Sequence, residues 1–329
     1  MSLATRIDRL EKNYIINGAF DFFQRNTSAV TLTSTSSYLN ADRFKHHYVG
    51  TVTGTPQVQR STNVPAYSAK YSQQFITRRN ASALTLVTMQ RIEAVNVREL
   101  VLKPISVSAK INSDIATTVR LQLAVPTAED NYTATTEFYN QVVTIVADST
   151  WKTVAFENIT VPLSAVNGLQ VSISLECSSG TDAANKNHYI TEIMLNGGIE
   201  AIPYARVGKT TVDELSFCQR YYEKSFEIDE TPIFNDLTTR HISNYNTNGS
   251  GLQRSDSVFF STTKRSAPIV VTYSPFGITL NTVHREPAGA SGANYAINSV
   301  SFRHSFHLSS TGASGAGLYL YGWTADAEL

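Results

Sequence analysis

Only two cysteines, Cys177 and Cys218, occur among the 329 residues. So low a count excludes a disulfide-dense scaffold. Cys177 continues the apolar phase of a strand-like stretch and Cys218 lies in an aromatic one. Both are expected as buried free thiols, with a mutual disulfide as the alternative. No uninterrupted apolar run reaches the roughly 18 to 20 residues of a membrane-spanning helix, and no signal-peptide pattern opens the chain. The expectation is a protein made without membrane insertion and not exported by the ordinary secretory route, which still allows a place outside the cell as part of a particle. Net charge is missing as well, since 27 basic residues balance 27 acidic ones. That balance gives no sign of a nucleic-acid-binding surface.

Catalytic signatures are also absent. The chain contains no HExxH, Walker loop, GxSxG elbow, CxxC pair or dinucleotide fingerprint. Its histidines are scattered, and neighbours such as His46 and His47 differ by an odd number, so on a strand they face opposite ways and do not build a metal cage. Carboxylates are thin, and neither Asp213 with Glu214 nor Asp326 with Glu328 sets the separation that glycoside cleavage requires. The expectation is a protein that is not an enzyme.

What the chain does have is Thr, Ser, Val, Tyr and Phe in short alternating segments. Ile105, Val107, Ala109 and Ile111 alternate with Ser106, Ser108 and Lys110. Val119, Leu121, Leu123 and Val125 alternate with Arg120, Gln122 and Ala124, and Val171, Ile173, Leu175 and Cys177 with Ser172, Ser174 and Glu176. Period two means strands with one buried face. Tyr67 to Phe75 alternates too, and Trp151 opens WKTVAFENITV, where it is read as a core residue or as a platform for a sugar ring. Many short strands without intervening amphipathic helices argue for a sandwich. Near the start, Leu3, Ile7 and Leu10 form a helical stripe, either a terminal helix on its own domain or the end of a coiled-coil stalk. Between Thr211 and Lys224 a short helix is expected, with Thr211 or Asp213 as its cap. Strand character then resumes at Val258 to Ser261, Ile269 to Tyr273, Val300 to Leu308 and Leu318 to Trp323. Across Val300 to Leu308 one face would carry Val300, Phe302, His304, Phe306 and Leu308.

The fold class expected from the alternation is all-β, a larger β-sandwich followed by a smaller β-sandwich, with a short N-terminal helix and a short helical junction. The resemblance given below implies a jelly-roll β-sandwich for the N-terminal one. The boundaries read as a helical or coiled-coil stub over 1–12, a jelly roll over 13–205, a junction over 206–226 and a C-terminal β-sandwich over 227–329. Sugars are held by flat rings against their apolar faces and by planar amides on their hydroxyls. The candidate glycan contacts in or near turn-rich segments are Tyr132, Tyr139, Tyr245 and Tyr295.

The phrases NYIINGAFDFFQRNTS at Asn13 to Ser28, ADRF at Ala41 to Phe44, IPYARVGKTTVDELSFCQRYYEKSF at Ile202 to Phe226, TTKRSAPIVVTYSPFG and the terminal WTADAEL occur in this order along the chain. Together they resemble a family of bacteriophage tail-fibre and related virion proteins that carry a carbohydrate-binding-module-like jelly roll. The residues within these phrases read as structural: Asn17 before Gly18 as a turn, Gln24 with Arg25 and Asp42 with Arg43 as buried pairings, and Gln219 with Arg220 at the helical junction. The resemblance implies a virion appendage, a tail fibre or receptor-binding part that attaches to a host-surface glycan. It implies a homotrimer, contacts with other virion proteins and a location on the virion after synthesis in the host cytoplasm. The alternatives are a purely architectural head-fibre, decoration or connector protein, and a glycan depolymerase. The start also resembles calcium-stabilised carbohydrate modules, and Asp21 and Glu192 are the positions implied for a structural calcium ion.

Overall fold

The computed structural model describes residues 12–66, 69–208, 210–234, 241–245, 256–276, 279–286, 293–310 and 317–329. The stripe of Leu3, Ile7 and Leu10 lies outside these residues. The chain divides into two compact units, one running to Glu214 and including Leu329, the other spanning Leu215–Glu328. Strands dominate both.

The first unit is a jelly-roll β-sandwich of two antiparallel sheets. The six-stranded sheet runs β1 (Val30–Thr31), β3 (Gln57–Ser61), β4 (Ser72–Thr77), β11 (Lys186–Gly197), β6 (Pro104–Ser113) and β9 (Lys152–Thr160). The five-stranded sheet runs β2 (Lys45–Val52), β5 (Arg79–Ile92), β10 (Leu169–Cys177), β7 (Thr117–Ala128) and β8 (Asn131–Ile145). The alternating residues of β6, β7 and β10 meet in one core with Phe20, Phe23, Phe44 and Phe75. Cys177 and Cys218 are both buried thiols outside any disulfide, in different units. Tyr67 is outside the described residues, and the strand read from it starts only at Ser72.

The phrase from Asn13 to Phe23 is threaded against β11. Asn13 accepts from the Leu195 amide and donates to the Ile193 carbonyl, while the Tyr14 amide donates to the Leu195 carbonyl. The Ile193 amide in turn donates to the Gly18 carbonyl at 2.9 Å. Gly18 sits so close that a Cβ there would lie 2.2 Å from the Ile193 carbonyl oxygen. Gly18→Ala is expected to lower the stability of this unit by about 2 kcal/mol or more, because strand β11 must move to admit it. A chemical-denaturation midpoint unchanged from wild type would refute that.

The charged phrase residues make contacts across the chain. The Gln24 side-chain amide and backbone amide both donate to the Asp42 carboxylate. Arg43, buried, sends a guanidinium N–H to the Arg91 carbonyl at 2.6 Å, and Arg25 lies over the Tyr38 ring. Asn17 adopts φ 61° and ties the Phe22 and Asp42 carbonyls together through its amide.

The second unit is built about β19 (Gly317–Asp326). On its C-terminal half lie β12 (Tyr222–Lys224) and β15 (Ile269–Tyr273), and on its N-terminal half β13 (His241–Tyr245) and β16 (Thr282–Glu286). The network continues from β16 to β17 (Ala293–Ser301), β18 (Ser305–Ser310) and β14 (Asp256–Phe259). Val258, Phe306, Tyr321 and Trp323 fill its core.

Two expectations are corrected. The helix is shorter than read, Thr211–Gln219, and Tyr222–Lys224 is a strand of the second unit rather than part of a junction. Its cap is Thr210, whose hydroxyl accepts from the Asp213 amide while the Asp213 carboxylate accepts from the Thr210 amide. Val300 to Leu308 is a hairpin rather than one strand. The Phe302 amide bonds to the Ser305 carbonyl at 2.8 Å, β17 folds back on β18, and Val300 and Phe302 face outward while Phe306 and Leu308 are buried. Parity counted through a turn that carries no Gly, Pro or Asn assigns one face where the chain has reversed.

Gln219 and Arg220 serve the second unit. Gln219 accepts from the Ser261 hydroxyl and, through its carbonyl, from Lys264, and the Arg220 carbonyl accepts from the Arg265 amide.

Candidate functional site

The outer face of the six-stranded sheet gathers the polar chemistry of the first unit. Residues directly opposite across strands share a face. Gln59 pairs with Gln74, Gln74 with Tyr189, and Tyr189 with Asn112, and all four stand opposite to the core-facing Val58, Phe75, Ile190 and Ile111. The amides are linked: Gln59 donates to Gln74 at 2.7 Å, and Gln74 donates to Asn187 at 2.9 Å and to the Tyr189 hydroxyl at 3.4 Å. Trp151, just before β9, packs on Tyr189 with ring centroids 6.3 Å apart, and its indole N–H points to Asn63 at 3.4 Å. Both rings are half-buried. Asn112 is buried and donates to the Ser149 carbonyl, while its Oδ1 has no partner among the described residues.

One step along the same strands a cavity of about 660 Å³ opens. Ser108 and Lys110 of β6, Thr153, Ala155 and Glu157 of β9, and Glu192 of β11 line it, with Ala69 and the segment Ala201, Ile202, Pro203, Tyr204 and Arg206. A cavity of this size suits a small ligand. Glu192 reaches it because β11 is bulged. Thr191 pairs with Lys110 but Met194 with Ser108, so one extra residue is inserted, and Glu192 takes φ 51°. A non-glycine residue in that region is strained, and such bulges re-aim side chains. The Glu192 carboxylate binds Lys110 at 2.8 Å and accepts from the Ala69 amide at 3.2 Å. Arg206 donates through Nε to Asp21 at 2.8 Å, a bond that raises the guanidinium pKa further. Beside it the Tyr204 hydroxyl accepts from the Ala19 amide, and burial pushes its pKa up. Glu157 is exposed and accepts from the Ala201 amide at 2.8 Å.

The tyrosines read from sequence fall elsewhere. Tyr132 is buried, its hydroxyl donating to the Ile92 carbonyl at 2.6 Å, and burial raises its pKa. It is a packing residue because its ring has a partner for its one polar atom inside the core. Tyr139 packs half-buried against the first core, on β8 of the other sheet. Tyr245 and Tyr295 stand within strands β13 and β17 rather than in turns, and their side chains lie outside the described ones. The residues that do come together, Trp151, Tyr189, Gln74 and Asn112, sit on four different strands or their ends, and only Trp151 stands out in the sequence.

The carboxylates Asp21 and Glu192 do not fit a calcium site. Calcium takes about six to eight oxygens. Each of these carboxylates is already paired with a cationic side chain, and among the described residues no group of three or more His, Cys, Asp or Glu could hold a metal ion.

No family model and no curated protein matches the chain. Similar solved structures include TmCBM61 in complex with β-1,4-galactotriose, at 14% identity and TM-score 0.35, covering 57% of this chain and 99% of that one. The enzymatically active domain of bacteriophage CBA120 tailspike protein 4 also has 14% identity and TM-score 0.35, covering 56% of this chain and 21% of that one. A family 11 carbohydrate-binding module from Clostridium thermocellum, in complex with a β-1,3-1,4-mixed-linked tetrasaccharide, has 13% identity and TM-score 0.33 and covers 53% of this chain and 99% of that one. Scores at this level say nothing about what this chain binds.

Proposed function

We propose that the first unit binds a glycan on the outer face of its six-stranded sheet and that the chain is a virion appendage attaching to a host surface. The observation that carries the binding is the Trp151–Tyr189 pair set among linked planar amides beside a cavity lined by hydroxyls and ion pairs. Rings cover the apolar face of a sugar and amides read its hydroxyls, a combination a purely architectural surface does not need. The phage assignment and the homotrimer rest on the sequence phrases; several copies would turn weak single contacts into avidity. Adsorption without turnover suits the cavity's carboxylates. Glycoside cleavage needs a pair of carboxyl groups set across the sugar, whereas the roles seen here are structural, Glu192 holding Lys110 and Glu157 accepting from the Ala201 amide.

Trp151→Ala is expected to weaken glycan affinity about tenfold or more while leaving the thermal transition nearly unmoved, since the ring is only half-buried. Binding to a glycan array or to host envelope, measured for wild type and variant side by side, checks both parts. Equal binding by the variant would move the site off this face.

A further inference from the structure

The cavity holds two cations built in the same way. Lys110 and Arg206 both line it, with side chains 31% and 36% exposed, and each rests on a buried carboxylate, Glu192 and Asp21, only 7% and 6% exposed. A carboxylate bound to a cation restricts its direction and leaves the donors it does not use available to a ligand in the cavity that both cations line. For Arg206 the Asp21 bond takes Nε alone, and the guanidinium makes no other hydrogen bond among the described residues. The paired Nη1 and Nη2 donors are thus free in a planar fork, the geometry that matches a carboxylate bidentately. Lys110 likewise makes no hydrogen bond or ion pair beyond Glu192 among the described residues.

We infer that the glycan taken by this site is an acidic one, in which a sugar carboxylate, of the uronic or nonulosonic type, is held by the fork of Arg206 with Lys110 beside it. This rests on the glycan reading of the face. The recognition is local rather than a general attraction for polyanions. Both cations are already balanced by their own carboxylates, and Glu157 adds a negative charge to the rim. Selectivity therefore comes from the fork's geometry, with the rings of Trp151 and Tyr189 covering neighbouring sugars.

The test is an array of acidic glycans printed beside their carboxyl-reduced forms, with neutral glycans and dextran sulfate, probed with wild type and Arg206→Lys. That substitution keeps a cation for Asp21 and removes the fork. Acidic glycans are expected to bind, carboxyl reduction to abolish binding, dextran sulfate to bind poorly, and the variant to lose roughly tenfold or more with an unchanged thermal transition. Binding of neutral or carboxyl-reduced glycans as well as acidic ones, equal binding by the variant, or dextran sulfate binding as strongly as the best glycan would each overturn the inference while leaving the glycan reading in place. No binding to any glycan would overturn the glycan reading and the inference with it. Carboxyl reduction acts on the ligand, so the result is readable even if the variant folds poorly.

Discussion

Between pH 6.5 and pH 4 the first unit is expected to lose on the order of 5 kcal/mol of stability, through two buried histidines. His46 is wholly buried between Phe44 and Phe75, with ring centroids 6.4 and 5.6 Å away, and desolvation, helped by His47, lowers its pKa to about 3. His188 is wholly buried beside Ser113 and Cys177, and burial lowers its pKa to about 4. The unfolded chain takes up these protons near pH 6.5 and the folded chain refuses them until pH 4 or 3. The stability is fully present above pH 6.5 and falls as pH drops towards the folded values, each histidine contributing about 1.4 kcal/mol per pH unit within its window. Glu214 acts in the opposite sense, because burial raises its pKa and folding favours its proton at acid pH. Denaturation midpoints from pH 7 to pH 4 check the balance, and His46→Leu is expected to flatten the slope by about half. A wild-type midpoint that stays level through this range would refute the assignment.

Removing Glu223 is expected to cost the second unit about 3 to 5 kcal/mol, enough to unfold a marginal domain. Lys264 is fully buried, with its ammonium on the Glu223 carboxylate and on the Gln219 and Thr262 carbonyls. Glu223 also accepts from the Ser261 amide and hydroxyl. Burial pulls the Lys264 pKa down and the carboxylate pushes it back up. Glu223→Ala strands that charge and two further donors, whereas the paired change Glu223→Gln with Lys264→Met removes the charge from both sides and is expected to cost much less. Equal losses in the single and double variants would show that packing, not the unpaired ammonium, sets the cost.

The sheets were legible because β6, β7 and β10 each bury one face, and period two survives in Ile105 to Ile111, Val119 to Val125 and Val171 to Cys177. Reading failed where the chain turned without turn residues, as at Phe302 to Ser305, and where a short strand such as Tyr222–Lys224 followed a helix with no break in composition. The site was harder. Trp151, Tyr189, Gln74 and Asn112 are neighbours only through strand register, which no local pattern states. Tyr132 resembled a surface aromatic because it lies two residues beyond Asp130, yet its hydroxyl finds the Ile92 carbonyl inside. The resemblance implies Asp21 and Glu192 as calcium positions, and in the structure the β11 bulge and the Arg206 segment place them against Arg206 and Lys110.

The most direct test of the central claim, that the outer face of the six-stranded sheet binds a glycan, is to map protection on that face. Hydrogen exchange of the assembled protein would be measured with and without the glycan selected by the array. The account predicts slowed exchange at the backbone flanking Trp151, at Asn187 to Glu192 and at Ala201 to Arg206, with β8 and the second unit unchanged. Protection confined to the five-stranded sheet or to the second unit would contradict it.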